Sequence, residues 1–163
     1  MSLTPTALAE RINQRLTGLD RELGLRVVTA AADRIEAEMV IEDRHRQVHG
    51  VVHGGVYAAI VETLGSLGAI VAHGSESAAV VGMENHTSFL RAVRDGTLRA
   101  IATPLSRGRR AQLWDVRIET ADGKLAASGR LRTLRLEEGA ILAGAGAPPL
   151  GLFVDGDLDA DVH

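Results

Sequence analysis

The chain contains no cysteine. This excludes a disulfide framework, a thiolate metal site and a cysteine nucleophile. Aromatic residues are almost as scarce, with one Trp, one Tyr and two Phe, so few rings are available to line a pocket. Positive charge is not in excess. The formal net charge is -3, which gives no electrostatic footprint for nucleic acid as a partner. Neither a P-loop nor a GxGxxG following a strand is present, which argues against a nucleotide cradled by a glycine-rich loop. Uninterrupted membrane-length runs are also missing. The longest apolar run, residues 56–72, is broken by Glu62 and by several glycines. The first 16 residues carry Glu10, Arg11 and Arg15, which suits neither a signal peptide nor a transmembrane span. The expectation is a soluble, cytoplasmic protein with neither nucleic acid nor membrane as partner. With 163 residues, 45% of them hydrophobic, the chain is long enough for one domain with one core.

The stretch that organises the rest begins at His53-Gly54-Gly55 and runs through Glu62 to Ser66. Its apolar residues, among them Val56, Ile60, Val61, Leu64 and Val71, do not alternate. The pattern predicts a helix over 54–73, buried on most of its circumference. An ionisable group in such a helix is costly unless it is paired or used. Glu62 is therefore either a structural acid, paired with an arginine or bonded to Ser66 one turn on, or a working carboxylate. Gly54 and Gly55 stand where unpaired N–H groups and the positive end of the helix dipole favour a developing negative charge. Gly54 and Glu62 are eight residues apart, about 12 Å along a helix at ~1.5 Å per residue, too far to share one reacting carbonyl. Two helices packed antiparallel across a two-fold axis would bring Gly54 of one chain to Glu62 of the other, giving two equivalent sites per dimer.

The flanking sequence supplies the frame. Residues 4–16 read as a helix, with Thr4 as cap, Pro5 in the first turn, and Leu8, Ile12 and Leu16 on one stripe. Residues 25–31 and 34–41 read as strands joined at Ala32-Asp33. Residues 43–52 form a polar loop containing His45, Gln47 and His49. Together with His53 these histidines lack an HExxH-like spacing, so a metal site is a weak reading. After a turn around Gly74-Ser75-Glu76, four extended segments follow at 78–93, 97–105, 111–120 and 125–136. Asp95-Gly96 and Asp122-Gly123 are hairpin signals, and Arg107-Gly108 is a turn. The order predicts an α+β layer pair, an antiparallel sheet wrapped round one long helix. Residues 1–138 make a single domain, with the N-terminal helix at about 4–17. Residues 139–163 make a Gly/Ala/Pro-rich and then acidic tail, ordered only if it docks through Leu150, Leu152, Phe153 and Val154. Arg91, Arg94, Arg99, Arg107, Arg109 and Arg110 make the middle of the chain basic, either as a solvated surface or as a grip on an anionic ligand.

These residues together resemble a known family. Arg46-Gln47 ahead of His53-Gly54-Gly55, Glu62 eight residues after Gly54, Asn85-His86-Thr87-Ser88-Phe89, and Trp114-Asp115-Val116 are similar to the hotdog-fold acyl-CoA thioesterases. The likeness is to the PaaI-like branch and the 4-hydroxybenzoyl-CoA thioesterases that use a helical glutamate. It covers residues 44–133. The resemblance implies an acyl-CoA thioesterase acting on an aromatic, hydroxyaromatic or medium-chain acyl group. It implies a homo-oligomer, at least a dimer and commonly a tetramer. It requires no metal and no cofactor, since coenzyme A is part of the substrate. Glu62 would be nucleophile or general base. The Gly54 N–H would polarise the thioester carbonyl, Gln47 would orient the thioester, His53 would orient the loop, and Ser66 would position water or the carboxylate. Gly55, Asn85, His86 and Thr87 would lie on the substrate side. Arg91 matches a position that contacts the nucleotide phosphates. Arg109 and Arg110 stand where close relatives carry small hydroxyl residues, and they would add two cations there. A hotdog acyl-thioester hydratase or dehydratase, and a non-catalytic acyl-CoA or small-ligand binder, are the alternatives.

Overall fold

The structure, a computed structural model, describes residues 3–75, 79–146 and 150–153. The chain runs through α1 (Pro5–Arg15), α2 (Gly18–Glu22), β1 (Arg26–Ala31), β2 (Arg34–Val40), a 3-10 turn (Asp43–His45) and α3 (Gly54–His73). It continues through β3 (Val80–Phe89), β4 (Thr97–Arg107), β5 (Ala111–Thr120) and β6 (Leu125–Arg135), then a two-residue pair, β7 (Ile141–Leu142) and β8 (Ala145–Gly146). Strands β1 to β6 form one sheet in the order β1-β2-β4-β5-β6-β3. Every neighbouring pair is antiparallel. A long helix held in an antiparallel sheet is what the sequence leads one to expect.

The sheet's inner face reads directly off the alternating residues. Ile35, Ala37 and Met39 on β2, Leu98, Ala100 and Ala102 on β4, and Trp114, Val116 and Ile118 on β5 are all at most 2% exposed. They pack against Ile60, Val61 and Leu64 of α3, each 0% exposed. By length and composition α3 passes for a membrane span; its place is the core of the domain. Four glycines set how closely helix and sheet approach. A side chain at Gly65 would collide with Leu131 at 2.6 Å, one at Gly68 with the Trp114 ring at 2.6 Å, and one at Gly129 with Val61 at 2.7 Å. One at Gly82 would collide with the Glu62 carboxylate at 2.0 Å. The helix ends at Gly74, whose φ of 59° is the left-handed conformation that glycine adopts without a steric cost.

The two edges of the sheet differ. At β1 a bulge falls between Val27 and Thr29. The Asn13 side chain of α1 donates to the Val27 carbonyl at 2.7 Å and accepts its N–H at 2.8 Å. That edge is bent and covered, as edge strands of stable monomers are. At β3 no other strand among the described residues covers the outer edge, and Met83 (60%) and Phe89 (58%) are exposed.

Several local expectations differ from what is seen. The first helix, expected over about 4–17, stops at Arg15, and Gly18 opens the short helix α2, which also holds Asp20. Thr63 of α3 donates to Asp20 at 2.5 Å and ties α2 to the core helix. Asp95-Gly96 is not a hairpin turn, because β3 and β4 are not neighbours; β3 pairs with β6 instead. The local turn chemistry is present, with Gly96 at φ 92°, but its carbonyl accepts from Ile41 next to the β2–β4 pair. The tail beyond 138 docks in part. Leu152 and Phe153 are buried, and the Leu152 carbonyl accepts from Arg11 of α1 at 3.2 Å. Glu76, Val154 and the acidic residues after it lie outside the described residues.

Candidate active site

The start of α3 is built by the loop before it. His53 is the N-cap, and its Nδ1 accepts the Gly55 N–H at 2.8 Å. The Val56 N–H donates to the His53 carbonyl at 2.9 Å. Of the first three N–H groups of the helix, the Gly54 N–H is therefore the one left for a ligand. The loop is pinned on both sides. Arg46 pairs with Val52 as an isolated bridge, Val52 N–H donates to Val93 O at 2.8 Å, and Arg46 Nε donates to Arg94 O at 2.7 Å. Gln47 Oε1 accepts the His49 N–H at 2.6 Å, so the Gln47 side chain presents its amide NH2. Gln47, Gly54, Tyr57, Phe89 and Arg91 line a cleft of about 320 Å³. Phe89 lies over Gly54 so closely that a Cβ there would come within 2.6 Å of its ring.

His45 holds this loop from below. It is 1% exposed, its Nδ1 accepts the Glu42 N–H at 2.9 Å, and its carbonyl accepts from His53 N–H at 2.8 Å. Burial pushes the imidazole below its usual pKa. The Arg44 charge acts in the same direction and Glu42 opposes it. A histidine depressed in the folded state contributes stability above its unfolded pKa of about 6.5, and that contribution is lost as pH falls towards the folded value. His73, depressed by burial and by Arg135, contributes with the same sign. Urea midpoints measured between pH 7.5 and pH 5 should therefore fall with acid. His45→Asn, which keeps an acceptor for Glu42 N–H, should flatten that slope without abolishing it. An unchanged slope would mean that His45 does not resist protonation.

Glu62 is positioned by β3. Asn85 Nδ2 donates to Glu62 Oε2 at 3.0 Å and to the Ala58 carbonyl at 3.0 Å. Thr87 Oγ1 in turn donates to Asn85 Oδ1 at 2.7 Å. The strand thus runs beside the central helix, and its alternation turns Asn85 and Thr87 towards α3. His86 between them points to the opposite face. Glu62 departs from expectation in one respect: it is half-buried, not enclosed. The helix flank that carries it faces the β3 edge of the sheet, and among the described residues no further strand packs there. Ser66 stands one turn later on the same flank, also half-buried.

The cleft at Gly54 and the carboxylate at Glu62 remain separate within one chain, because Glu62 is not among the cleft's lining residues. Arg109 and Arg110 are elsewhere again. They line a second cleft with Arg135 and Glu137, next to Gln112, which bonds His73 at the last turn of α3 at 3.2 Å. That is ~28 Å from Gly54 along the helix at ~1.5 Å per residue. Sequence reading passed over Gly82 and Tyr57, and it took His45 for a residue of a polar loop, whereas His45 is buried. A glycine inside a strand pattern is the one available signal for Gly82, since it marks a bulge or a close approach. Among the described residues no cluster of three or more His, Asp or Glu side chains has metal-holding geometry.

A long core helix carrying a carboxylate on its flank, wrapped by an antiparallel sheet and opening with a glycine-lined cleft, is the hotdog arrangement of a thioester hydrolase. The chain belongs to the thioesterase superfamily, whose family profile matches residues 49–127. It is 40% identical over 121 residues to the Mycobacterium tuberculosis protein Rv1847, which carries an esterase name; the match spans 72% of this chain and 86% of that one. The solved structure of that protein superposes with a TM-score of 0.70, over 72% of this chain and 95% of that one. A thioesterase structure from Haemophilus influenzae superposes with a TM-score of 0.74 at 34% identity, over 84% and 93% of the two chains. The 1,4-dihydroxy-2-naphthoyl-CoA hydrolase of Escherichia coli is 34% identical over 112 residues, covering 68% of this chain and 81% of that protein.

Proposed function

We propose that this thioester hydrolase is an acyl-CoA thioesterase that works as a cytoplasmic homo-oligomer of at least two chains. Its acyl group is aromatic or of medium length. The observation that carries this reading is the division of the site. One chain offers a cleft with an unused helix N–H, and about 12 Å further along the same helix, at ~1.5 Å per residue, a carboxylate anchored by Asn85 on an uncovered flank. Two chains joined at their β3 edges, with the α3 helices antiparallel, complete two sites at once and cover an edge strand that is otherwise open to mispairing. A further pairing of dimers gives the tetramer.

In such a site the thioester carbonyl oxygen lies at the Gly54 N–H of one chain, with the Gln47 amide beside it. Glu62 of the other chain attacks the carbonyl carbon, or takes a proton from the water that does. The negative charge developing on oxygen is held by the helix N–H, a preorganised donor of the kind worth roughly 2.7–4 kcal/mol in a transition state. If Glu62 attacks, the C–S bond breaks to leave an acyl-glutamyl anhydride, which water then hydrolyses to the free acid and the restored carboxylate. If water attacks, C–S cleavage gives the acid directly. In both cases the departing coenzyme A sulfur takes up the proton that the water gives up. Ser66, one turn from Glu62, is placed to orient water. The name of the Escherichia coli relative, an aromatic acyl-CoA hydrolase, supports the acyl-CoA reading and favours an aromatic acyl group.

The test is hydrolysis of benzoyl-, 4-hydroxybenzoyl-, phenylacetyl-, hexanoyl-, decanoyl- and palmitoyl-CoA, followed by release of free thiol. Turnover of an aromatic or medium-chain member supports the reading. Binding of coenzyme A thioesters without turnover of any would move a binding role to first place. Arg91 lines the cleft and is exposed, as a phosphate-holding guanidinium must be. Arg91→Ala should raise KM about tenfold or more and leave kcat nearly unchanged, the pattern of lost uniform binding. A fall in kcat at unchanged KM would contradict a phosphate-holding role.

A further inference from the structure

Tyr57 is the single tyrosine of the chain, and it is 2% exposed. It stands one turn into α3, on the same side as Gly54. Tyr57 is one of the residues lining the cleft, and its ring lies 6.1 Å from the Phe89 ring, tilted by 32°. Its hydroxyl is buried and has no hydrogen-bond partner among the described residues. Native proteins pair almost all such groups, and an unpaired one destabilises the fold. A phenylalanine would fill the same space without that cost, so the hydroxyl calls for an explanation outside the packing. Burial pushes its pKa up, so at neutral pH it keeps its proton and is a donor in want of an acceptor. His45 Nε2 is similarly unpartnered, but His45 does not line the cleft.

The scarcity of rings sharpens the point. Of the four aromatic side chains in the sequence, two, Tyr57 and Phe89, line this one cleft. Trp114 is spent under Gly68 in the core, and Phe153 belongs to the docked tail. The two rings pack against each other and make one apolar wall of the cleft, a surface suited to a flat group. An alkyl chain offers the tyrosine no acceptor, and the thioester oxygen is already assigned to the Gly54 N–H. The acceptor must therefore come from an oxygen elsewhere on the acyl group.

Resting on the acyl-CoA thioesterase reading, we propose that Tyr57 is a specificity-determining residue whose hydroxyl donates to an oxygen on the acyl group and so selects a hydroxylated aromatic ring over a bare one. A pocket with a buried polar group discriminates strongly against a substrate that leaves it unpaired. The experiment compares wild type with Tyr57→Phe on benzoyl-CoA and its 2-, 3- and 4-hydroxy derivatives. It reads kcat/KM, calorimetric Kd for the same four thioesters, and Tm. Wild type should prefer at least one hydroxylated ring by about tenfold, the size of one such hydrogen bond. In Tyr57→Phe that preference should collapse to near unity, with Tm no lower than wild type. The inference is overturned if wild type shows no preference, if the variant keeps it, or if the variant slows all four alike with a fall in Tm. That last pattern would mean the hydroxyl serves the fold or a subunit contact. Should wild type hydrolyse none of the four, the Kd values decide. A hydroxyl preference in binding that Tyr57→Phe erases sustains the inference while the thioesterase reading falls, and no preference in binding overturns it.

Discussion

Glu62→Gln is expected to lower turnover of a coenzyme A thioester at least ~100-fold, the lower range for a positioned acid–base group, while the thioester still binds. The substitution is nearly isosteric and leaves an oxygen for Asn85 Nδ2, so the helix flank and β3 should keep their arrangement. What it removes is the negative charge, and an amide can neither attack the carbonyl carbon nor take a proton from water. The measurement is free-thiol release at saturating substrate, with Kd for the same thioester determined alongside. Retained turnover would remove Glu62 from the chemistry. Loss of both turnover and binding would mean that the carboxylate holds the pocket together.

Gly82→Ala is the second large effect, at a position that touches no substrate. A Cβ at Gly82 would stand 2.0 Å from Glu62 Oε1, and two atoms cannot occupy that distance. The backbone there is not in a glycine-only conformation, and Gly82 is exposed in a bulged stretch of β3, so the strand accommodates a methyl group. The carboxylate has to swing away, and it leaves Asn85 when it does. A displacement of about 1 Å in a reacting group costs on the order of 100-fold. The expectation is a fall of that order in kcat, with KM and Tm close to wild type. Wild-type kcat in Gly82→Ala would show that the carboxylate does not work from the position Asn85 gives it.

Much of this architecture was legible in the order of residues. The alternation Ile35-Ala37-Met39 and Trp114-Val116-Ile118 announced which faces are buried, and all six side chains are inside. The lack of alternation after Gly55 announced the core helix. What failed was strand adjacency. Asp95-Gly96 has the chemistry of a tight turn, but turn chemistry is local, while the place of β3 beyond β6 is settled by nine residue pairings more than thirty residues away in sequence. The site divides in the same way. Gly54 and Glu62 could be named from their spacing in the chain, and Asn85 from the resemblance to the family. The grip of Asn85 on the carboxylate, the notch at Gly82 and the orphan hydroxyl of Tyr57 arise only when the helix is laid on the sheet. Glu62 was expected to be enclosed because its sequence neighbours are apolar. Its surroundings on one side, however, are the edge of the sheet, which no helical periodicity describes.

The glycines at 65 and 68 have a consequence for how such a protein can change. Each receives a bulky side chain from below, Leu131 in one and Trp114 in the other. Two pegs in two slots index the rod. A slip of one residue moves it ~1.5 Å and turns it ~100°, and neither slot would then meet its peg. The angular phase of α3 is therefore set at its C-terminal half, and Glu62 inherits it. The cleft walls are at the other end, formed by the loop before the helix, its first turn and the end of β3. Val51, Tyr57, Phe89 and Leu90 can be exchanged for other shapes without re-indexing the carboxylate. Selectivity and hydrolysis are in this sense mechanically uncoupled, and a new acyl preference needs a few changes at one end of a rod whose angle is fixed at the other.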